Sequence, residues 1–173
     1  MMKGAQNPAT VAANPHSPQH AIAGVPTPVS VQKMPLKYDV ELRALPDCPP
    51  SCATPRTTDA YRFAHAELAH PNNSLPVAKI NPKRNVHGRP VTTCCTAFAL
   101  SVFDSLPNLR AKALQLKKNN PNILKMLGDK FIKLNVSPSS GLSSLPAASG
   151  HFELFESDTF DLLASIAECG PLL

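Results

Sequence analysis

The residues best able to do chemistry fall in a few short stretches. In ASGHFELFESD, residues 148–158, an extended backbone puts His151, Glu153 and Phe155 on one side and Phe152 and Leu154 on the other. Phe155 needs cover, so the face carrying His151 and Glu153 is expected to be partly sheltered, as the lining of a cleft would be. Cys94 or Cys95 as nucleophile, His151 as its base and Glu153 holding the imidazole would make a Cys–His–acid set in an order some thiol enzymes use. Both cysteines, however, open the apolar run CCTAFALSVF, where sulfur ordinarily packs rather than reacts. Cys48 and Cys52 have a spacing that suits a metal, with His65 and His70 as further ligands. No second CxxC or HxxxH accompanies them, so surface thiols and no metal are expected.

Anion binding has a separate candidate. The loop PKRNVHGR brings Lys83, Arg84, His87 and Arg89 close together, a cluster able to grip phosphates or carboxylates. Tyr61 and Phe63 are near enough in sequence to stack a base. No recognition helix, aromatic RNA-binding motif or glycine-rich phosphate loop is present, so a solvated loop competes with this reading. The charge layout points the same way. Eleven Lys and Arg lie between Lys79 and Lys133 against two acids, while five acids and no Lys or Arg follow from His151 onward. A basic face for an anionic partner accounts for this, as does mutual neutralisation of adjoining basic and acidic segments.

A third set links distant positions. Arg62 lies in YRF, Ser101 in ALS and Glu153 in HFELFE, each on an expected strand. An arginine, a serine and a glutamate on early, middle and late strands resemble the Arg–Ser–Glu series of ADP-ribosyltransferases. The resemblance implies an arginine paired with dinucleotide phosphate, a bracing serine, and a glutamate bonded to the nicotinamide ribose. It implies NAD as cofactor and a toxin or exported effector as setting. The family's Ser-Thr-Ser string is here Leu100-Ser101-Val102, and its Glu-x-Glu pattern is Glu153-Leu154-Phe155-Glu156.

Elements must position these groups. Ten of the 19 prolines precede residue 56, so residues 1–55 are expected to form a disordered or polyproline-like arm, with LKYDVELRAL as a docked edge strand. Residues 56–173 are expected to fold as a single α+β domain, a small mixed sheet with two or three helices. Strands are expected at 61–65, within LPVAKI, in the run 94–103, in DKFIKLNV and in HFELFE. SPSSGLSSLPAASG is expected as a loop. Ser105 and Pro107 start a helix over 106–119 in which Leu106, Leu109, Ala113 and Leu116 share a face. NILKML is a short helix ended by Gly128, and DTFDLLASIAE a closing one. The start lacks a secretory apolar core and no stretch is long enough to span a bilayer, so a reducing, cytoplasmic setting is expected. Five cysteines do not read as a disulfide framework. The leading expectation is a small intracellular interaction or accessory protein, without a cofactor, whose basic face meets an anionic protein or other partner. The NAD-dependent transferase is the alternative.

Overall fold

TDAYRFA alternates Ala60, Arg62 and Ala64 against Tyr61 and Phe63, and KFIKLNV alternates Ile132, Leu134 and Val136 against Phe131 and Lys133. A period of two belongs to a pleated strand. The computed structural model describes residues 34–173. The elements in order are helix α1 (Asp39–Arg43), strand β1 (Thr58–Ala64), helices α2 (Pro71–Ser74) and α3 (Val77–Ile80), and strands β2 (Asn85–Val86), β3 (Arg89–Pro90) and β4 (Leu100–Phe103). Helices α4 (Leu106–Asn119) and α5 (Ile123–Leu127) follow, then strands β5 (Lys130–Val136), β6 (Gly141–Ser143), β7 (His151–Glu156) and β8 (Ile166–Pro171). Six strands pair antiparallel in the order β6-β7-β4-β1-β5-β8, and β2 and β3 make a separate hairpin. The fold class is α+β, as the sequence predicts.

Both sheet faces are covered, by different means. On one, Ala60, Ala64, Leu100, Val102, Ile132, Leu134, Phe152 and Leu154 pack with Phe160 and Leu162 from the segment after β7. On the other, Phe103 and Phe131 pack with Leu109 and Ala113 of α4 and with Leu172. The α4 helix begins as expected, with the Ser105 side chain accepting from Asn108 N and proline in the first turn. Gly128 ends α5 at φ +95, and a Cβ there would collide with the backbone of Ala64, so only glycine lets the chain turn back into β5.

Several expectations are corrected. The fold does not begin near residue 56. Leu36, Leu42 and Ala53 are buried in a third cluster with Val91, Phe98 and Phe155. Proline forbids long regular elements but not irregular packing, and Leu36 and Thr54 bridge to Ser157 and Ser143. Residues 1–33 of the expected arm lie outside the described residues. LKYDVELRAL is not a strand: Asp39 and Arg43 pair across one turn, and α1 has acids at its start and a base at its end. LPVAKI gives α3, and CCTAF gives 3-10 turns ahead of β4. The loop after β5 contains strand β6. The closing helix is absent because Asp161 Oδ1 accepts from Leu163 N and Ala164 N, closing a turn that leaves 166–171 to pair with β5. Cys48 and Cys95 form a disulfide, correcting the reading of Cys48 as a surface thiol. Such a bond persists where thiols are oxidised and does not favour a reducing compartment. No helix among the described residues is long and apolar enough to cross a membrane.

Two buried charges tie these parts together. Arg62 donates from Nε to Asn73 O (3.0 Å), from Nη1 to Ser101 O (2.9 Å), and from Nη2 to Asn72 O (3.3 Å) and Leu75 O (3.0 Å). Burial pushes its pKa down to about 10, with Glu156 acting the other way, so it stays charged at neutral pH. Glu156 has a fully buried side chain, with Oε1 2.7 Å from Lys37 Nζ. Burial raises its pKa above the usual carboxylate value, and Lys37 and Arg62 oppose the rise.

Arg62→Leu would strand four carbonyls, each costing about 1–3 kcal/mol, enough to unfold a domain of ordinary stability. Arg62→Lys keeps the charge but not the planar fork, and a thermal melt should show a lowered Tm with folding retained. Lys37→Met leaves Glu156 unpaired and should cost about 3 kcal/mol. Glu156→Gln in the same chain should restore most of that loss. The pH dependence of Glu156 follows from its raised pKa. Its unfolded carboxyl ionises near 4.5 and its folded carboxyl higher, so the stability it contributes is full below 4.5 and lost as pH rises through the folded value. Melts above pH 4.5 should therefore show wild-type Tm falling relative to Glu156→Gln, and parallel curves would refute this assignment.

Candidate functional site

Alternation along β4 and β7 decides which side chains meet. Ser101 stands directly opposite Glu153, and Phe103 opposite His151. Residues paired across an antiparallel ladder share a face, so Ser101, His151 and Glu153 project together. This is the side of Phe103, Tyr61 and Phe63, and it is opposite to Arg62.

Two of the three groups are hydrogen-bonded, and the third stands nearby. Ser101 Oγ lies 2.6 Å from His151 Nε2. His151 Nδ1 lies 3.8 Å from Glu153 Oε1. Glu153 is held in turn, because Ser144 Oγ donates to its Oε2 at 2.7 Å and accepts from its backbone N at 3.0 Å. The His151 ring packs edge-on against Phe103, with centroids 5.2 Å apart. Gly150, at φ +75, lets the chain enter β7 here, and a Cβ at that position would strike Asp104 and Asn108. Ser101 is exposed, whereas His151 and Glu153 are half-buried. The satisfied pattern has the serine hydroxyl donating to Nε2 and the Nδ1 hydrogen facing the carboxylate.

Arg62 does not join them. Its guanidinium is spent on backbone carbonyls across the sheet, so the Arg–Ser–Glu series does not converge on one cleft. The thiol set is not assembled either. Cys95 is bonded to Cys48, and Cys94 Sγ faces Pro90 O. His65 and His70 stack on each other at 3.9 Å, and no group of three or more His, Cys, Asp or Glu able to hold a metal occurs among the described residues.

His87 and Arg89 lie in the β2–β3 hairpin, and Lys83 and Arg84 lie just before β2. His87 and Gly88 take φ +50 and +77, as a two-residue hairpin turn requires. Lys83, Arg84, His87 and Arg89 are all exposed, and none makes an ion pair among the described residues. The hairpin base is fixed: Val91 N donates to Arg84 O at 2.8 Å, and Val91 is buried in the third cluster. Pro82 and Thr92, on either side of the hairpin, line a groove of about 470 Å³ with Leu45, Ala78 and Phe98. Tyr61 and Phe63 are not beside this loop. They pack on the sheet with Phe131 and Phe103.

Sequence reasoning missed Ser144, Lys37 and Asn73. Glu156 carried a signal, since its alternation with Phe152 and Leu154 already assigns it to the core face. Asn73 gave none: its side chain closes the 65–73 loop on the backbone of His65, Glu67 and Leu68, contacts that no spacing rule encodes. No family model, no curated protein and no solved structure matches this chain.

Proposed function

We propose that the protein is an interaction or accessory module that presents its β2–β3 hairpin to an acidic segment of a partner protein. The observation that carries this reading is the concentration of Lys83, Arg84, His87 and Arg89, exposed and free of ion pairs among the described residues, on the hairpin and the residues leading into it, with the hairpin base fixed. Preorganised charge loses little entropy on binding and steers encounter with an oppositely charged surface. The groove beside it is lined by Leu45 together with the paired Glu41 and Lys79, while Ala78 and Phe98 in its lining are themselves buried. A partner segment carrying both carboxylates and a few apolar side chains complements the two. Single-stranded nucleic acid fits less well, because Tyr61 and Phe63, the expected stacking platform, are packed elsewhere. The NAD-dependent transferase has less support, since it needs the Arg62 guanidinium that the fold uses internally.

The test uses the full chain and two fluorescent probes, a peptide of alternating Glu and Leu and a single-stranded oligonucleotide. The peptide should bind at low salt and weaken as ionic strength rises, since exposed charges are screened over about 8 Å at physiological salt. The triple variant Lys83→Glu, Arg84→Glu, Arg89→Glu should keep its Tm and bind the peptide at least about tenfold more weakly. Unchanged peptide binding, or a clear preference for the oligonucleotide, would overturn the proposal.

A further inference from the structure

The Ser101–His151–Glu153 array has no role in the hairpin reading, and it supports an inference that stands apart from that reading. A hydroxyl on a sheet needs no imidazole to satisfy it, because solvent does so. Here the imidazole lies at 2.6 Å from the hydroxyl and has a carboxylate on its far side, itself fixed by Ser144. A nucleophile, a base and a group that orients the base are the parts that activate serine. They come from two adjacent strands whose pairing fixes the register and hence the backbone positions of the three residues.

We infer that Ser101 is an activated nucleophile that accepts the acyl group of a carboxylic ester. Ser101 Oγ attacks the ester carbonyl carbon while its proton passes to His151 Nε2. The carbon–oxygen bond to the alcohol breaks, and the leaving alkoxide takes that proton from Nε2. Water then attacks the acyl-serine and gives a proton to Nε2, and Ser101 Oγ leaves and recovers it. One ester and one water become one acid and one alcohol, with no oxidant or reductant required. When Nε2 carries the proton the ring is cationic, and the Glu153 carboxylate balances it across 3.8 Å. Glu153 is thus a positioning residue that acts through His151. The exposed setting of Ser101 suits a small ester approaching from solvent. General-base assistance is the main contribution in this arrangement, and it is worth about 10²–10⁴-fold in rate.

The experiment treats the full chain with p-nitrophenyl acetate and follows acetylation of individual serines by peptide mass. Ser149, exposed in the same chain, serves as internal control. Ser101 should acetylate about 100-fold faster than Ser149, and the His151→Gln variant should lose that advantage. Ser101→Ala should show no adduct at this position with an unchanged Tm. Glu153→Gln should lower the limiting rate while leaving the half-saturating ester concentration unchanged, a split that loosened packing would not produce. Equal acetylation of Ser101 and Ser149 in the wild-type chain would refute the assignment even if His151→Gln failed to fold. An Ser101 rate unaffected by His151→Gln in a folded variant would refute it too.

Discussion

A guanidinium inside a sheet protein is an expensive group to bury, and the described fold depends on how Arg62 is accommodated. Its donors reach carbonyls in two places, the end of β4 at Ser101 and the 72–75 segment that crosses nearby. The ladder explains why this is needed. β1 and β4 pair at Tyr61↔Phe103 and then part, so the carbonyl of Ser101 has no strand partner on that side. The arginine fork supplies the missing donor. Hydrogen bonds to a charged group are worth about 1.5–3 kcal/mol each, which offsets much of the desolvation cost.

Charge balance extends the same logic to the N-terminal part of the domain. Glu156 lies on the face that holds Arg62 and attracts it at longer range, and Lys37 reaches over to Glu156 directly. The backbone follows the side chain, since Lys37 N donates to Glu156 O at 3.0 Å. Leu36 and Leu42 are thereby brought onto Phe155 and Phe98. A stretch that composition marks as an arm becomes a wall of the core, and one of its anchors is a buried carboxyl whose pKa burial raises despite the cations around it.

How much of this was legible depends on the range of the cause. Period-two alternation placed β1, β5 and β7, and capping chemistry at Ser105 and Pro107 placed α4, because each signal and its structure lie within a few residues. Phe155 beside Glu153 correctly announced a partly covered face, and Phe155 is 1% exposed. The failures share the opposite property. Burial of Leu42 depends on Phe98 and Phe155, both far along the chain. The Cys48–Cys95 bond spans 47 residues and cannot be read from a neighbouring pair of cysteines. DTFDLLASIAE has helical spacing, but Asp161 turns the chain and the open edge of β5 offers the remainder a partner. Ser101, His151 and Glu153 were each picked out as candidates. Ser101 was grouped with Glu153, and His151 with Glu153, but the contact of Ser101 with His151 was not foreseen, because it depends on the β4–β7 register.

That contact follows from the dimensions of the elements above the sheet. A helix is about 10 Å across and strands lie about 4.8 Å apart, so one helix roofs roughly two strand intervals. α4 covers the stretch marked by Phe103, Phe63 and Phe131, which reaches from β4 to β5. The N-terminal segment covers Phe155 and Leu142 at the far ends of β7 and β6. Neither cover fully roofs the interval between them, which holds the exposed Ser101 and the half-buried His151 and Glu153. Apolar side chains there would face water, so polar residues are the stable choice on hydrophobic grounds alone. Hydrophobic accounting does not ask that the hydroxyl be hydrogen-bonded to the imidazole with a carboxylate 3.8 Å from its other nitrogen, nor that Ser144 brace the carboxylate from β6's side. The open interval also explains access: a carbonyl carbon can approach Ser101 Oγ from solvent without any element among the described residues moving aside.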